Sequence, residues 1–360
     1  GDFAVTSSAR QRVMILIPAT AIALAGCSGA PGFSPADAAT AVAATVAAIS
    51  VPSATAVPST PEEHALPTEL PTAGPAELIV AYTDGGNVAV IASDGLPLMV
   101  TASGAVEQVQ ISDDGQKIAY SRRPVVDQPV ELHSVNRDGT GDLLLMGPAD
   151  FDALYPLGDL LHHDLAQFEF VPGTHDLPLN TRGICEGPGL AKHDDLLRID
   201  SDTQARTMLL APGTGGDFTL SPNGQYLALV RAGTVEIRLA DGSPTGSGTV
   251  TYPPVITYSE YAYYADPVWN PESTMIGLAI PSSDPLAPST SATIWWVPVG
   301  GSNTLVGTID GQFFFPSFSS SLLSPDLSHV AFTRPTSTTN VSNLYRASAD
   351  GSGETLVAVY

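Results

Sequence analysis

The sequence predicts an all-β fold built from one repeated unit of about four short strands. Three observations support this prediction. Short apolar runs alternate with tight-turn pairs from residue 77 onward, a Ser-Pro-Asp-Gly-like turn recurs about every fifty residues, and an Asp-Gly or Gly-Gly pair follows most copies. Four strands repeated at this period are typical of β-propeller blades. The fold predicted for the chain is therefore a β-propeller of about six four-stranded blades.

The first turn of the repeat lies between two apolar strands. The strand that follows it carries Ala or Gly beside aromatic or aliphatic residues. The four clear copies read Asp113-Asp114-Gly115 before Ile118-Ala119-Tyr120, Pro222-Asn223-Gly224 before Leu227-Ala228-Leu229, Pro271-Glu272 before Ile276-Gly277-Leu278, and Pro325-Asp326 before Val330-Ala331-Phe332. A weaker copy is Val171-Pro172-Gly173.

The second turn of the repeat joins the last two strands of each unit. It reads Asp138-Gly139, Asp241-Gly242, Gly300-Gly301 and Asp350-Gly351, with Asp200-Ser201-Asp202 in the weak copy. Glycine supplies the positive φ angles that tight hairpins need. A sixth unit precedes these five, with apolar runs at residues 78–82, 88–91 and 98–100 around Asp94-Gly95.

The first unit lacks the strand that precedes the Ser-Pro-Asp-Gly turn. Three explanations are open: the chain is incomplete at its C-terminus, the first blade has three strands, or more blades follow. A β-sandwich is the alternative architecture, since its strands are equally short. Sandwich strands do not repeat one turn motif at a near-constant interval, so the propeller is the better prediction.

The Ser-Pro-Asp-Gly turn before an Ile-Ala-aromatic strand resembles the PD40 or TolB-like repeat, a relative of WD40 blades. The resemblance covers roughly residues 77–360. It implies a propeller whose links between blades cross one face of the disc. Because many activities share this fold, the resemblance is specific for architecture and weak for function.

Residues 1–26 have the features of an export signal. Arg10 and Arg12 precede a short apolar run, and Leu24-Ala25-Gly26-Cys27 closes it. This quartet resembles the lipobox of bacterial lipoproteins, which implies cleavage before Cys27 and acylation of Cys27, so that lipid anchors the chain to a bilayer. An ordinary signal peptide with a chance cysteine is the alternative. We expect a lipid-anchored, extracytoplasmic protein of the bacterial cell envelope, in the periplasm or at the cell surface.

The composition divides the rest of the chain and excludes one class of partner. Residues 27–75 are mostly Ala, Pro, Ser and Thr, which predicts a flexible tether before a propeller at 76–360. The chain has 14 Lys and Arg against 37 Asp and Glu, a net charge of -23. Nucleic acid is therefore not an expected partner, because binding phosphate backbones needs clustered cations.

Three long links between units are the predicted binding elements, since loops on a rigid scaffold commonly carry function. They span about residues 148–167, 252–267 and 311–320. Aromatic and histidine side chains in them are the candidates for a binding face, because aromatics are enriched at protein contacts. Packing of the same rings against the blades is the open alternative. The candidates are Tyr258, Tyr261, Tyr263, Tyr264, Phe313, Phe314, His162 and His163.

No catalytic signature, cofactor motif or metal-ligand spacing is present in the sequence. Histidine and aspartate cluster around His163, His175 and His193, but their spacing matches no known ligand pattern. The predicted function is therefore a non-catalytic module that binds a protein or envelope component. The alternative is an exported carbohydrate-binding protein or a propeller lyase or hydrolase, with His162, His163 and His175 at the mouth of the channel.

Overall fold

The computed structural model describes residues 78–92, 95–186, 190–256, 262–284, 287, 290–312, 323–338 and 341–359. Within these ranges, 23 strands form six antiparallel sheets, and each sheet is made of strands that are consecutive in the chain. We call the sheets blades 1 to 6. The prediction of an all-β propeller built from six units is confirmed. The predicted signal segment 1–26 and tether 27–75 lie outside the described residues.

Blades 1 and 2 contain the first seven strands. Blade 1 is β1 (Val80–Asp84), β2 (Asn87–Ile91) and β3 (Pro97–Met99), and blade 2 is β4 (Val106–Ile111), β5 (Lys117–Arg122), β6 (Glu131–Asn136) and β7 (Leu143–Met146). Within the described ranges, blade 1 has three strands and no partner strand along the inner edge of β1.

Blade 3 is the largest sheet and departs from the predicted pattern. It contains β8 (Leu160–Phe168), β9 (Asp176–Cys185), β10 (Leu190–Lys192), β11 (Leu196–Asp200) and β12 (Arg206–Leu210). The first predicted link is therefore shorter than expected, because β8 begins at Leu160. This link also contains a helix, α1 (Pro148–Asp152), which starts with Pro148 and is capped by Asp150 on the Gly147 amide at 2.8 Å.

Blades 4 to 6 follow the predicted unit. Blade 4 is β13 (Asp217–Leu220), β14 (Tyr226–Arg231), β15 (Thr234–Leu239) and β16 (Pro244–Thr251); blade 5 is β17 (Val268–Trp269), β18 (Met275–Pro281), β19 (Ser291–Pro298) and β20 (Thr304–Asp310). Blade 6 is β21 (His329–Pro335), β22 (Ser342–Ser348) and β23 (Thr355–Val359), with a bridge from Leu323 to Val330 at the inner position.

A repeated serine closes the first turn of blades 2, 4 and 6 by hydrogen bonds. In blade 2, the Ser112 hydroxyl donates to Asp114 Oδ1 at 2.6 Å and accepts the amide of Lys117 at 3.0 Å. The same contacts recur in the other clear copies with serine, at Ser221, Asn223 and Tyr226 and at Ser324, Asp326 and His329. Side chains that bond the nearby backbone define a turn independently of tertiary contacts, which is why this motif is legible in the sequence.

Antiparallel strands give the propeller two different faces. The Ser-Pro-Asp-Gly and Asp-Gly turns lie on one, which we call the turn face. The second-to-third strand loops and the links between blades lie on the other, which we call the insert face.

Large and small side chains alternate on the second strand of blades 2, 4, 5 and 6. Large residues point toward the preceding blade, and a small residue points toward the following one. Five apolar clusters formed this way join consecutive blades; they contain Ile118 and Tyr120, Leu177 and Leu179, Leu227 and Leu229, Ile276 and Leu278, and Val330 and Phe332. All ten of these side chains are at most 1% exposed. Blade-on-blade packing therefore forms the core.

Gly277 on β18 gives a direct test of this packing. A Cβ there would lie 2.8 Å from Leu327 Cδ2 and 3.0 Å from Leu323 Cδ1, both in blade 6. We expect Gly277→Val to lower the free energy of unfolding by about 1–3 kcal/mol, because the extra methyls have no free space. Urea unfolding measures the loss.

The matched control for that variant is Gly300→Val, because a Cβ at Gly300 meets no described atom within 4 Å. Equal losses in the two variants would contradict the packing of blade 6 on the small side of β18.

Ion pairs on the turn face also join blades 2 and 3. His175 Nδ1 lies 2.7 Å from Asp202 Oδ2, and its Nε2 lies 3.2 Å from Asp114 Oδ2. Lys117 Nζ lies 2.8 Å from Asp202 Oδ1. Partial burial lowers the pKa of His175, but the hydrogen bonds to Asp202 and Asp114 outweigh it and leave the pKa raised.

This raised pKa predicts a stability that depends on pH. The contribution of protonated His175 is fully present below the unfolded pKa, about 6.5. It is lost as pH rises through the higher folded pKa. We expect unfolding free energies measured in urea to fall between pH 6 and pH 8.5 by less than about 1 kcal/mol, since the site is partly exposed. His175→Gln should remove that part of the slope; an unchanged slope would exclude His175 as its source.

Candidate functional site

Two inserts on the insert face meet at one loop of blade 3. The first insert is residues 148–159, between β7 and β8, and the second lies between β16 and β17, where residues 252–256 and 262–267 are described. Both contact the segment His193-Asp194-Asp195, which joins β10 to β11 and which we call the 193–195 loop. The candidate site is built around this loop.

Asp195 holds the first insert. Its carboxylate is fully buried, and Oδ2 accepts the Tyr155 hydroxyl at 2.7 Å. Thr181 of β9 donates both its amide, at 2.8 Å to Oδ1, and its hydroxyl, at 2.6 Å to Oδ2. Three donors satisfy the buried side chain of Asp195, so the insert is attached to the blade through a carboxylate and not through apolar packing alone.

Asp194 holds the second insert. The Tyr264 hydroxyl donates to the two Asp194 oxygens at 3.0 and 3.2 Å. Lys192 Nζ lies 3.7 Å from the centre of the Tyr264 ring, a cation–π contact, and also pairs with Asp217 of blade 4. The second insert thus reaches over blade 4 to blade 3.

The backbone conformation of the 193–195 loop lets the adjacent carboxylates of Asp194 and Asp195 bond to different inserts. Asp194 has φ +49°, in the left-handed region that residues with a Cβ rarely adopt. Holding it there costs on the order of 1 kcal/mol. The hydrogen bonds of Tyr264 and Tyr155 to the two carboxylates offset this cost.

The charges of the site keep both tyrosines protonated. Burial raises the pKa of Tyr155, and Asp195 raises it further. Burial and Asp194 do the same to the pKa of Tyr264. Burial also raises the pKa of Asp194, although the Tyr264 hydroxyl and Lys192 partly offset this. Both hydroxyls therefore act as hydrogen-bond donors at neutral pH.

The predicted candidate His163 lies at the centre of the site. It is 1% exposed, its Nδ1 lies 3.2 Å from His193 Nε2, and its Nε2 lies 3.1 Å from the carbonyl oxygen of Tyr155. His193 Nδ1 is 2.7 Å from the Thr181 hydroxyl. The imidazoles of His163 and His193 are therefore occupied by internal contacts.

The other histidine candidates do not join this cluster. His162 is buried on β8. His175 lies on the turn face, immediately before β9 and eight residues before Gly183, which pairs with His163; at the strand rise this is roughly 26 Å. His163 and His175 therefore do not share one pore-mouth site, as the alternative catalytic interpretation required.

The aromatic candidates divide into described and undescribed residues. Tyr263 packs in the cluster between blades 4 and 5 and donates its hydroxyl to the carbonyl of Ala279 at 3.2 Å, as the packing alternative expects. Tyr264 is half-buried against Lys192 and Asp194. Tyr258, Tyr261, Phe313 and Phe314 lie outside the described residues.

The described ranges contain no group of three or more His, Cys, Asp or Glu side chains arranged to hold a metal ion. The ring nitrogens of His163 and His193 instead face each other, a hydroxyl and a backbone carbonyl.

Aliphatic side chains are exposed on the insert face around this polar centre. Val126 in the loop between β5 and β6 is 78% exposed, and Leu161 at the start of β8 is 56% exposed. Asp164 of β8 accepts both Arg123 Nη2 and the amide of Val130, each at 2.9 Å, so this loop lies beside β8. The exposed aliphatic residues of this face are Val125, Val126, Leu157, Leu161 and Ile256.

Sequence reasoning missed Tyr155, Lys192 and the loop that carries Val125 and Val126. Tyr155 and Lys192 stand alone in the sequence, without a repeated spacing. The one available signal was the pair of carboxylates after His193, which has no counterpart in the other blades. Only the fold brings the two inserts to these carboxylates.

A scan against models of known protein families and a search of the curated proteins found no match. Solved structures do resemble the chain. TolB from Acinetobacter baumannii is 14% identical, with a TM-score of 0.37 over 74% of this chain and 57% of that chain. Oligogalacturonate lyase in complex with manganese is 14% identical, with a TM-score of 0.46 over 75% and 73%.

Dipeptidyl peptidase 4 from Porphyromonas gingivalis is 12% identical, with a TM-score of 0.48 over 78% of this chain and 44% of that chain. The chain thus spans little more than half of the TolB chain that it resembles. At these identities the likeness concerns the fold alone, and the six antiparallel sheets themselves define the chain as a β-propeller. Among the described residues, no helix is long and apolar enough to cross a membrane.

The hydrogen bond from the Tyr264 hydroxyl to Asp194 predicts how removal of that hydroxyl changes stability. Tyr264→Phe keeps the ring under Lys192 but removes the hydroxyl that Asp194 accepts. We expect the free energy of unfolding in urea to fall by about 1 kcal/mol, because a half-buried carboxylate loses its donor. The pKa of Asp194 should rise further, since that hydrogen bond lowers it.

Tyr82→Phe is the matched control, because the Tyr82 hydroxyl has no hydrogen bond in the part of the chain that the structure describes. If both variants lose the same stability, the Tyr264 hydroxyl does not anchor the second insert.

Proposed function

We propose that this protein is a lipid-anchored, extracytoplasmic propeller that binds a protein of the cell envelope on its insert face. The anchor rests on the leader sequence and on the Leu-Ala-Gly-Cys quartet that ends at Cys27. The long Ala-, Pro-, Ser- and Thr-rich segment after Cys27 would let the propeller reach partners away from the bilayer.

The exposed aliphatic group of the insert face carries this proposal. Val125, Val126 and Leu161 lie on neighbouring segments, and each is more than half exposed. Clustered apolar residues rimmed by polar side chains are typical of protein interaction sites. The rim here is Arg123, whose charge is already paired with the buried carboxylate of Asp164.

Internal pairing of the charges favours a protein over a small charged ligand. Arg123, Arg182 and Lys192 each lie within 4 Å of a carboxylate. A surface whose charges are neutralised locally binds mainly through its apolar atoms, with the charges setting register and orientation.

A non-catalytic role is part of the proposal. The hydroxyls of Tyr155 and Tyr264 stay protonated, and the imidazoles of His163 and His193 are occupied by internal contacts. A general base or nucleophile has to reach the substrate with an available lone pair. These groups therefore serve better as anchors of the inserts than as catalytic residues.

A pull-down from detergent-solubilised native envelope tests the binding face. The bait is the full chain expressed with its leader, so that Cys27 can be processed. We expect serine at Val125, Val126 and Leu161 together to lower capture of a specific protein at least tenfold, because the apolar contact is lost.

The matched control replaces Leu356, Val357 and Val359 with serine. These three residues are equally exposed but lie on β23, the outer strand of blade 6. The proposal requires the control bait to capture the same protein as the unmodified chain. Capture that is equal with all three baits, or absent with all three, would contradict it.

A further inference from the structure

A cavity lies between blades 4 and 5 on the turn face. Its volume is about 550 Å³, within the range of roughly 300–1,000 Å³ that is typical of small-molecule sites. Three turns surround it: the turn between β13 and β14, the turn between β17 and β18, and the turn between β19 and β20. We call it the turn-face cavity. It lies on the side of the propeller opposite the insert face, so it is a separate site.

The turn of blade 5 builds one wall of the cavity with an asparagine in place of the repeated serine. Asn270 Oδ1 accepts the amides of Thr274 and Met275 at 2.9 and 3.0 Å. Its Nδ2 donates to Glu272 Oε2 at 3.0 Å and to the Thr274 hydroxyl oxygen at 2.9 Å. The asparagine thus orients both side chains. Among the described residues, Glu272 Oε1 and the Thr274 hydroxyl hydrogen have no partner.

Ser273 fixes this wall against blade 4. Its hydroxyl oxygen accepts the amide of Asn223 at 3.0 Å, its side chain is 2% exposed, and its φ is +58°. The equivalent positions in blades 2 and 4 are Gly115 and Gly224, because residues with a Cβ rarely adopt such a φ. The contact between the two turns sets the separation of the cavity walls, so the cavity is preformed. Preformed sites lose less free energy to ordering when a ligand binds.

An aromatic ring supplies rigid apolar surface in the cavity. Tyr226 is half-buried, and its ring stacks on Trp269 with the centroids 6.2 Å apart. The Trp269 indole is itself held by a 2.9 Å hydrogen bond from Nε1 to the carbonyl oxygen of Thr219. The Tyr226 hydroxyl has no hydrogen bond within the described part of the chain. The other apolar residues that line the cavity are Met275, Pro298 and Val299.

Gln225 adds an amide to the lining. Its backbone amide donates to Asn223 Oδ1 at 3.0 Å, which fixes the residue at the end of the turn. Its exposed side-chain amide makes no hydrogen bond in the ranges that the structure describes. Hydrogen-bonding groups with spare donors and acceptors therefore alternate with apolar surface around the cavity.

The charge of this lining excludes several classes of ligand. Among the described residues, no Lys, Arg or His lines the cavity, and Glu272 is its one acidic residue. An anion would meet a carboxylate and no cation, and a hard metal ion needs several oxygen ligands. An aliphatic ligand would cover the amide and hydroxyls from water without pairing them. The lining fits instead a neutral molecule that has many hydroxyls and apolar C–H faces.

The corresponding position between blades 2 and 3 has a different chemistry. His175 immediately precedes β9, as Thr274 immediately precedes β18. The His175 ring contacts Asp202 at 2.7 Å and Asp114 at 3.2 Å, so the polar groups there are paired with one another. The hydroxyl of Thr274 makes no such bridge between turns, and the polar groups between blades 4 and 5 stay open to a ligand.

We propose that the turn-face cavity binds a neutral oligosaccharide. The apolar face of a sugar ring packs on Tyr226, since an aromatic ring offers a large contact area. The sugar hydroxyls bond to Gln225, Glu272 and Thr274. Each hydroxyl both donates and accepts, so neighbouring hydroxyls of one ring satisfy an amide and a carboxylate together. This binding is independent of the partner on the insert face.

Isothermal titration of the full chain tests the proposal with maltotriose, cellotriose and triacetylchitotriose as neutral probes. Trigalacturonate and spermidine are the anionic and cationic counterparts. We expect at least one neutral trisaccharide to bind and to raise the melting temperature, because a ligand of the native state stabilises it. If none of the three neutral probes binds, the proposal is wrong, whatever the charged probes do.

Gln225→Ala and Gln116→Ala form a matched pair for the same titration. Gln116 has the equivalent place in the turn of blade 2, where its amide donates to Asp114 Oδ1 at 3.0 Å, and both glutamine side chains are exposed. We expect Gln225→Ala to weaken binding of the neutral probe about tenfold, because a hydrogen bond to the ligand is lost. Gln116→Ala should bind like the unmodified chain. Unchanged affinity in Gln225→Ala would place the saccharide elsewhere and overturn the proposal.

Discussion

Each blade has two apolar faces, and its own strands can cover neither of them. Only another blade can, so the structure depends on packing between neighbours. The alternation of large and small residues along the second strand makes this packing tight. Leu278 of blade 5 fits against blade 4, while the missing side chain at Gly277 leaves room for Leu323 and Leu327 of blade 6. Burying one such leucine contributes about 1.5–3 kcal/mol, and five clusters of this kind far outweigh the surface ion pairs.

This scaffold lets the links between blades depart from the repeat without loss of the core. The two described inserts are attached by polar contacts, through Tyr155 on Asp195 and Tyr264 on Asp194. The contacts of a buried carboxylate are costly to break, because loss of a donor leaves a buried acceptor unpaired. Attachment of this kind holds a loop in one position. It also leaves the aliphatic residues of the insert face free to meet a partner.

The structure distinguishes recognition from packing for the side chains on the insert face, which the sequence could not do. Histidine and aromatic residues in the links are compatible with recognition or with packing. Among the described residues, the side chains of His163, Tyr263 and Tyr264 make internal contacts. The exposed side chains are instead those of Val125, Val126 and Leu161, which carry no chemical signature. An aliphatic residue becomes a candidate for binding only when the fold leaves it exposed.

The architecture of this protein was determined by the sequence alone, because its signals are local and repeated. Ser112 and Asp114 close their own turn, and Gly115 adopts a φ of +67° within it. This turn, together with the Asp-Gly pairs that mark the remaining hairpins, predicts six sheets. The site was decided by tertiary structure, because its contacts join residues far apart in the chain. Asp194 meets Tyr264 only after a propeller has formed, and nothing in either residue's neighbourhood in the sequence predicts the other.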